Sequence, residues 1–157
     1  MNNQILLAED SKDDQIIFEN TLKKSGVINP LVIVGDGNFA IARLQSSLDD
    51  VRQHPLPGVL FLDLKMPNCD GFEVLRWIQS RPGAKQGMLV IVMSAMDGVA
   101  DVRRAYDLGA DTFLSKPFTA SDMLHLVDTF PGHWIRKAPA ANLKPWQHLP
   151  ADSSSSL

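Results

Sequence analysis

The chain has 157 residues, of which 45% are apolar and 21% charged. That composition is normal for a globular protein and supplies one sizeable core, and the length fits one ordinary domain of about 50–250 residues. The formal net charge of -3 gives no general reason to expect nucleic-acid binding, which usually shows as a basic surface or stripe.

Five short apolar runs recur, each followed by a polar loop and a helical pattern. The first spans residues 4–8. Asp13 or Asp14 begins the helix after it, with Ile16, Ile17 and Leu22 on the apolar side and a turn at Ser25-Gly26. The second run, 31–34, stops at Gly35-Asp36-Gly37, and the helix over 38–48 turns Phe39, Ala42 and Leu48 inwards. The third run, 58–62, leads to a helix over 71–79 that carries Phe72, Leu75 and Ile78. The fourth, 88–93, precedes a helix over 99–108 that Gly109 can cap. The fifth, 112–114, precedes a helix after Pro117, capped by Thr119 or Ser121, with Met123, Leu124 and Val127 as its stripe.

Several of these runs are apolar throughout, as strands buried on both faces of a parallel sheet are. Parallel strands need crossovers, usually helical, so the alternation predicts a doubly wound α/β fold: a five-stranded parallel sheet flanked by five helices. Ligands of such sheets gather beyond the carboxyl ends of the strands.

Residues 1–130 make up this domain, and 131–157 form a C-terminal extension, partly packed or disordered and too short for an output domain. Pro131, Pro139, Pro145 and Pro150 punctuate the extension, which ends in serines. Trp134 and Trp146 can pack back on the domain, bind a partner or a second copy, or lie exposed. His133, Arg136, Lys137 and Lys144 read as soluble surface.

Cys69 is the single cysteine, which excludes an internal disulfide and suits a reducing compartment. The first ten residues carry no basic leader pattern, and no run approaches the ~20 apolar residues of a membrane span. A soluble cytoplasmic protein with no membrane or nucleic-acid partner is expected.

The chemistry sits at the run ends. Glu9-Asp10 follow the first run, Asp63 the third, Ser94 the fourth and Lys116-Pro117 the fifth. In a parallel sheet all of these project at one edge. Carboxylates converging there repel one another unless a cation compensates, and an all-oxygen set suits a hard ion such as Mg²⁺. One acid at a strand end is usually a turn or cap residue; polar residues at four such ends are hard to obtain from solubility alone.

These residues resemble the response-regulator receiver domain of two-component signalling. The matching features are Glu9-Asp10, the stretch from Asp63 to Gly71 with Pro67 and Asp70, Ser94-Ala95, Lys116-Pro117-Phe118, Asp36-Gly37 and Gly109-Ala110-Asp111. The resemblance covers residues 4–129 and is to single-domain, chemotaxis-regulator-like members. The long segments 46–57 and 81–87 are similar to the receivers associated with bacterial phytochromes.

The resemblance implies a flavodoxin-like strand order of 2-1-3-4-5. It makes Asp63 the phosphoacceptor, and gives a Mg²⁺ cofactor to Glu9, Asp10, Asp63 and the backbone carbonyl of Lys65, with Glu9 acting through a water. Lys116, Ser94 and the Ala95 N–H would bind the phosphoryl group. Ser94 and Phe113 would form the switch, the alternative for Phe113 being a core aromatic. The bond before Pro117 lies where the family often has a cis peptide. Implied partners are a histidine kinase or histidine phosphotransfer domain, an unknown downstream protein and a possible homodimer.

The domain would catalyse only its own phosphorylation and slow dephosphorylation, and would not be a turnover enzyme. Met96 and Lys65 occupy positions expected to favour a long-lived phosphorylated state, while the Lys65 side chain can also snorkel to solvent. His54 and His148 read as surface residues. The alternative function is an interaction module for which phosphorylation is dispensable.

Overall fold

The computed structural model describes residues 2–95 and 98–137. Met96, Lys144, Trp146, His148 and the serine-rich end lie outside them. The elements alternate without exception: β1 (Ile5–Ala8), α1 (Lys12–Ser25), β2 (Leu31–Val34), α2 (Gly37–Asp49), β3 (Val59–Asp63), α3 (Gly71–Ser80), β4 (Leu89–Ser94), α4 (Val99–Asp107), β5 (Thr112–Ser115) and α5 (Ala120–Thr129). All five strands are parallel, in the order β2-β1-β3-β4-β5. This is the expected doubly wound sheet. Among the described residues, no helix is long and apolar enough to cross a membrane.

The three central strands are buried along their whole length, whereas β2 and β5, at the edges, are half-buried. Successive side chains along a strand point to opposite faces. Leu6, Leu60, Leu62 and Val90 therefore face one core with Leu44 of α2, Leu75 of α3 and Ala105 of α4. Leu7, Val59, Phe61 and Ile91 face the other, with Phe18 of α1 and Met123 of α5.

Two helices turn differently from the sequence expectation. On α1, Phe18, Thr21, Leu22 and Ser25 are buried, while Ile16 is 57% and Ile17 48% exposed. The Phe18 ring packs edge-on against Phe61 at 4.8 Å and Phe118 at 5.8 Å, and this aromatic cluster sets the phase. On α2, Gly37, Ala40, Leu44 and Ser47 are buried, while Phe39 is 62% exposed and Ala42 also faces out. Here Gly37 sets the phase: its N–H donates to the Cys69 carbonyl at 3.1 Å, and any Cβ there would collide with that carbonyl. Helix α3 buries Phe72, Leu75 and Ile78 as expected. Helix α5 starts from a Thr119–Asp122 capping box and buries Met123 and Leu126, with Leu124 and Val127 half-buried.

Beyond α5 the chain returns along the corner between α1 and β2. Val27 and Arg136 form an antiparallel bridge, and the Ile28 and Lys137 amides donate to the Ile135 and Gly26 carbonyls, each at 2.8 Å. The Asn29 side chain ties the return down, donating to the His133 carbonyl at 2.9 Å and accepting from the Ile135 amide at 2.7 Å. Trp134 donates through Nε1 to the Phe130 carbonyl at 2.9 Å and sets its ring 6.3 Å from that of Phe61. Of the readings open for Trp134, packing back on the domain is the one realised.

Candidate functional site

The carboxyl edge of the sheet collects the chemistry. At the carboxyl end of each central strand the apolar run gives way to a buried polar residue. Glu9 continues the ladder one residue past β1, its amide donating to the Val34 carbonyl at 3.0 Å. Asp63 closes β3 and Ser94 closes β4, and both are buried. The Lys116 amide donates to the Ser94 carbonyl at 2.9 Å, which brings the fifth strand's exit to the same place.

The loop after β3 is fixed by backbone bonds. The Leu64 amide donates to the Met93 carbonyl at 3.0 Å, and the Gly71 amide to the Leu64 carbonyl at 3.1 Å. Gly71 is required: a Cβ there would stand 2.5 Å from the Asp63 carbonyl and 2.8 Å from the Leu64 Cα. Asn68 takes a left-handed φ of 66° to complete the bend, and Asp70 caps α3 by accepting from the Glu73 amide at 2.9 Å. Asp70 therefore has a structural task and stands outside the acidic cluster.

Carboxylate oxygens of Glu9, Asp10 and Asp63 lie within 4.8 Å of one another. Glu9 and Asp63 are buried and Asp10 is exposed, so the cluster opens to solvent on one side. Asp63 accepts from the Lys65 amide through Oδ1 at 3.0 Å and from Lys116 Nζ through Oδ2 at 2.9 Å. Lys116 Nζ also donates to Glu9 Oε1 and to Asp14 Oδ2, the latter at 2.9 Å. Glu9 Oε2 accepts from the Ser11 amide at 3.1 Å. The bond between Lys116 and Pro117 is cis, as the resemblance implies.

Three carboxylates thus meet one ammonium, with Asp10 close by, and the charge imbalance is visible in both partners. Burial pushes the Glu9 carboxyl up to about 7, against the hydrogen bond from Lys116 and with the help of neighbouring Asp63. Burial alone would lower the Lys116 ammonium, but its hydrogen bonds to Glu9, Asp14 and Asp63 prevail and hold it above its ordinary range. A hard divalent cation fits this donor set, since it adds positive charge among oxygens that one lysine does not neutralise.

The remaining expected residues fall around this centre. Ala95 is exposed beside Ser94, and an open cleft is lined by Asp10, Lys65, Phe72, Ser94 and Asp101. Lys65 is exposed. Phe113 is half-buried, pairs in register with Val92 and packs on the α2–α3–α4 side of the sheet. Cys69 is buried, its thiol pushed up first by burial and then by Glu73, which leaves it an ordinary thiol. His54 is exposed. The residue that sequence reasoning missed is Asp14, read only as the start of a helix. The one signal was an acid in the first turn after Glu9-Asp10.

Comparison with known proteins agrees with this geometry. Residues 5–128 match the model of the response regulator receiver domain. The chain is 34% identical over 139 residues to response regulator Rcp1 of Synechocystis sp., covering 87% of this chain and 93% of that protein. A crystal structure of the Mn²⁺-bound form of Rcp1 superposes with a TM-score of 0.67 at 32% identity, covering 86% of this chain and 99% of the other. The phosphorylated cyanobacterial phytochrome response regulator RcpA gives 0.68 at 30% identity, covering 88% and 98%. The bacteriophytochrome response regulator AtBRR gives 0.73 at 26% identity, covering 88% and 99%.

Proposed function

The chain belongs to the response regulator receiver domain family, and from that premise we propose that it accepts a phosphoryl group from a phosphohistidine onto Asp63. The donor would be a histidine kinase or a histidine phosphotransfer domain. The observation that carries this reading is the Lys116 ammonium joined to both Asp63 and Glu9 at the sheet edge, with Asp10 beside them.

The chain's own groups account for the step. An Asp63 oxygen attacks phosphorus while the P–N bond breaks, its electron pair remaining on an imidazole whose other nitrogen carries a proton. Asp63 is a weak nucleophile, so the rate comes from placement and from charge that meets the phosphoryl oxygens. The Lys65 amide and Lys116 Nζ fix the two Asp63 oxygens. Ser94 and the Ala95 amide, at the end of β4, receive the transferred oxygens. Glu9, Asp10, Asp63 and the Lys65 carbonyl would hold Mg²⁺, which when bound supplies further positive charge against the phosphoryl group.

Phosphorylation adds acceptor oxygens beside Ser94. An inward turn of Phe113 toward Ser94 then changes the face formed by α4, β5 and α5, where a downstream protein or a second copy binds. The half-burial of Phe113 beside α4 supports this, because it leaves the ring a solvent side to turn from. The domain performs its own phosphorylation and slow dephosphorylation and turns over no free substrate.

The test is phosphorylation by a small donor with Mg²⁺, followed by mass spectrometry of the acid-labile group. The modification is expected on Asp63, lost in Asp63→Asn and kept in Asp70→Asn, since asparagine also caps a helix. An unmodified wild-type protein would instead favour a phosphorylation-independent interaction module.

A further inference from the structure

An ammonium has three N–H donors, and Lys116 directs all three at carboxylates. The three acceptors are not equivalent. The Glu9 and Asp63 side chains are 2% and 6% exposed, whereas that of Asp14 is 39% exposed. Asp14 belongs to the first turn of α1, which lies across the sheet edge, and its carboxylate reaches Lys116 from the solvent side. Its backbone amide, and not its side chain, makes the helix cap, donating to Ser11 Oγ at 3.2 Å.

A phosphoryl group on Asp63 brings new anionic oxygens to a lysine with no spare donor. When acetyl phosphate is the source, the Asp63 oxygen bonds to phosphorus and acetate leaves with the electron pair of the broken P–O bond. A phosphoryl oxygen can replace the bond to Asp63 Oδ2, whose carboxylate loses its charge as the acyl phosphate forms, but a second phosphoryl contact requires that the bond to Glu9 or the bond to Asp14 be surrendered. Giving up Glu9 would strand a buried carboxylate, but giving up Asp14 returns a half-exposed carboxylate to water at little cost. Asp14 also stands within two hydrogen-bond lengths of Asp63 Oδ2, so its charge opposes an arriving anion.

We propose that Asp14 is a positioning residue, the exchangeable third acceptor of Lys116, which holds the ammonium in the empty state and releases it when Asp63 is phosphorylated. The role acts through Lys116 and deepens the phosphorylation of Asp63 proposed above. It sets how readily the domain charges: Asp14 competes with the phosphoryl group for the lysine, while Glu9 and Asp63 alone suffice to keep the lysine in place.

The experiment compares wild type with Asp14→Asn and Asp14→Glu. Asparagine keeps the shape and removes the charge; glutamate keeps the charge. With Mg²⁺ present, Asp14→Asn should be phosphorylated by acetyl phosphate about two- to fivefold faster, the range an exposed ion pair commands, and should bind beryllium fluoride tighter by a similar factor. Asp14→Glu should stay near wild type. In the metal-free protein, ¹H–¹⁵N spectra of the lysine ammonium groups should show faster proton exchange at Lys116 in Asp14→Asn only. Rates and affinities equal to or below wild type in Asp14→Asn overturn the exchange role, as does unchanged ammonium exchange. If wild type takes up neither phosphoryl group nor beryllium fluoride, the phosphorylation of Asp63 fails with it. The ammonium spectra then show separately whether the contact itself exists.

Discussion

Lys116 Nζ lies 2.9 Å from Asp63 Oδ2 while the same nitrogen holds Glu9, so one cation ties the nucleophile to the acidic pair. Lys116→Ala leaves the buried Glu9 and Asp63 carboxylates facing each other without a counter-charge. The metal-free protein should lose about 1–3 kcal/mol of unfolding free energy in urea at about pH 8, less than a fully buried pair would cost because Lys116 is partly exposed. Phosphorylation by a small donor should fall about 100-fold, as removal of one preorganised donor at a developing charge does. A variant as stable and as reactive as wild type would show that the lysine serves neither purpose.

The loop that carries Asp63 depends on a glycine. Gly71→Ala would put a Cβ 2.5 Å from the Asp63 carbonyl, and both near atoms are backbone, so neither a rotamer change nor a flexible side chain relieves the clash. The expected cost is about 1–3 kcal/mol in denaturant unfolding, with slower phosphorylation because the strain falls on the Asp63–Leu64 peptide. An unaltered unfolding midpoint would mean that the loop has room this structure denies it.

The five strands and the positions of Glu9, Asp63, Ser94 and Lys116 were legible because each depends on local composition, whereas the strand order came with the family resemblance. A run apolar on both faces reads as a strand of a covered parallel sheet, though not as an inner one, since β2 is apolar throughout and lies at the edge; a polar residue directly after such a run emerges at the carboxyl end of the sheet. The phases of α1 and α2 were not legible. Ile16 and Phe39 look like core residues, but the phases follow from the contact of Phe18 with Phe61 and from the seat of Gly37 on Cys69, both made between distant segments. Asp14 was hidden for the same reason: its partner lies 102 residues away and is reached only after α1 folds across the edge.

The return segment after α5 should contribute to stability. Trp134 adds its ring to the cluster around Phe61 and closes its own N–H on the Phe130 carbonyl. Trp134→Ala should cost about 2–3 kcal/mol, below the full value of a buried tryptophan because the side chain is half-buried. Ending the chain after Phe130 should cost at least as much, since it also removes the Asn29 hydrogen bonds to His133 and Ile135. Thermal and urea unfolding of both variants check this, and a truncation as stable as the full chain would contradict it.

The acidic cluster also predicts a pH dependence whose sign is fixed by Glu9. Burial, opposed by Lys116 and assisted by Asp63, pushes the folded carboxyl up to about 7 from an ordinary value of 4.5. Between those values the folded state binds a proton that the unfolded chain has released. The resulting stability is present below the lower value and is lost as pH rises through the upper one, by about 2–3 kcal/mol. Glu9→Gln has no such proton to lose, so the stability of the metal-free variant should decline less than that of wild type between about pH 5 and pH 8 in urea unfolding. A divalent cation reverses the preference, because it needs the charged carboxylate: Mg²⁺ should bind wild type up to about tenfold tighter at pH 8 than at pH 6. Calorimetric titration measures that ratio, and equal affinities at the two pH values would remove Glu9 from the metal's surroundings.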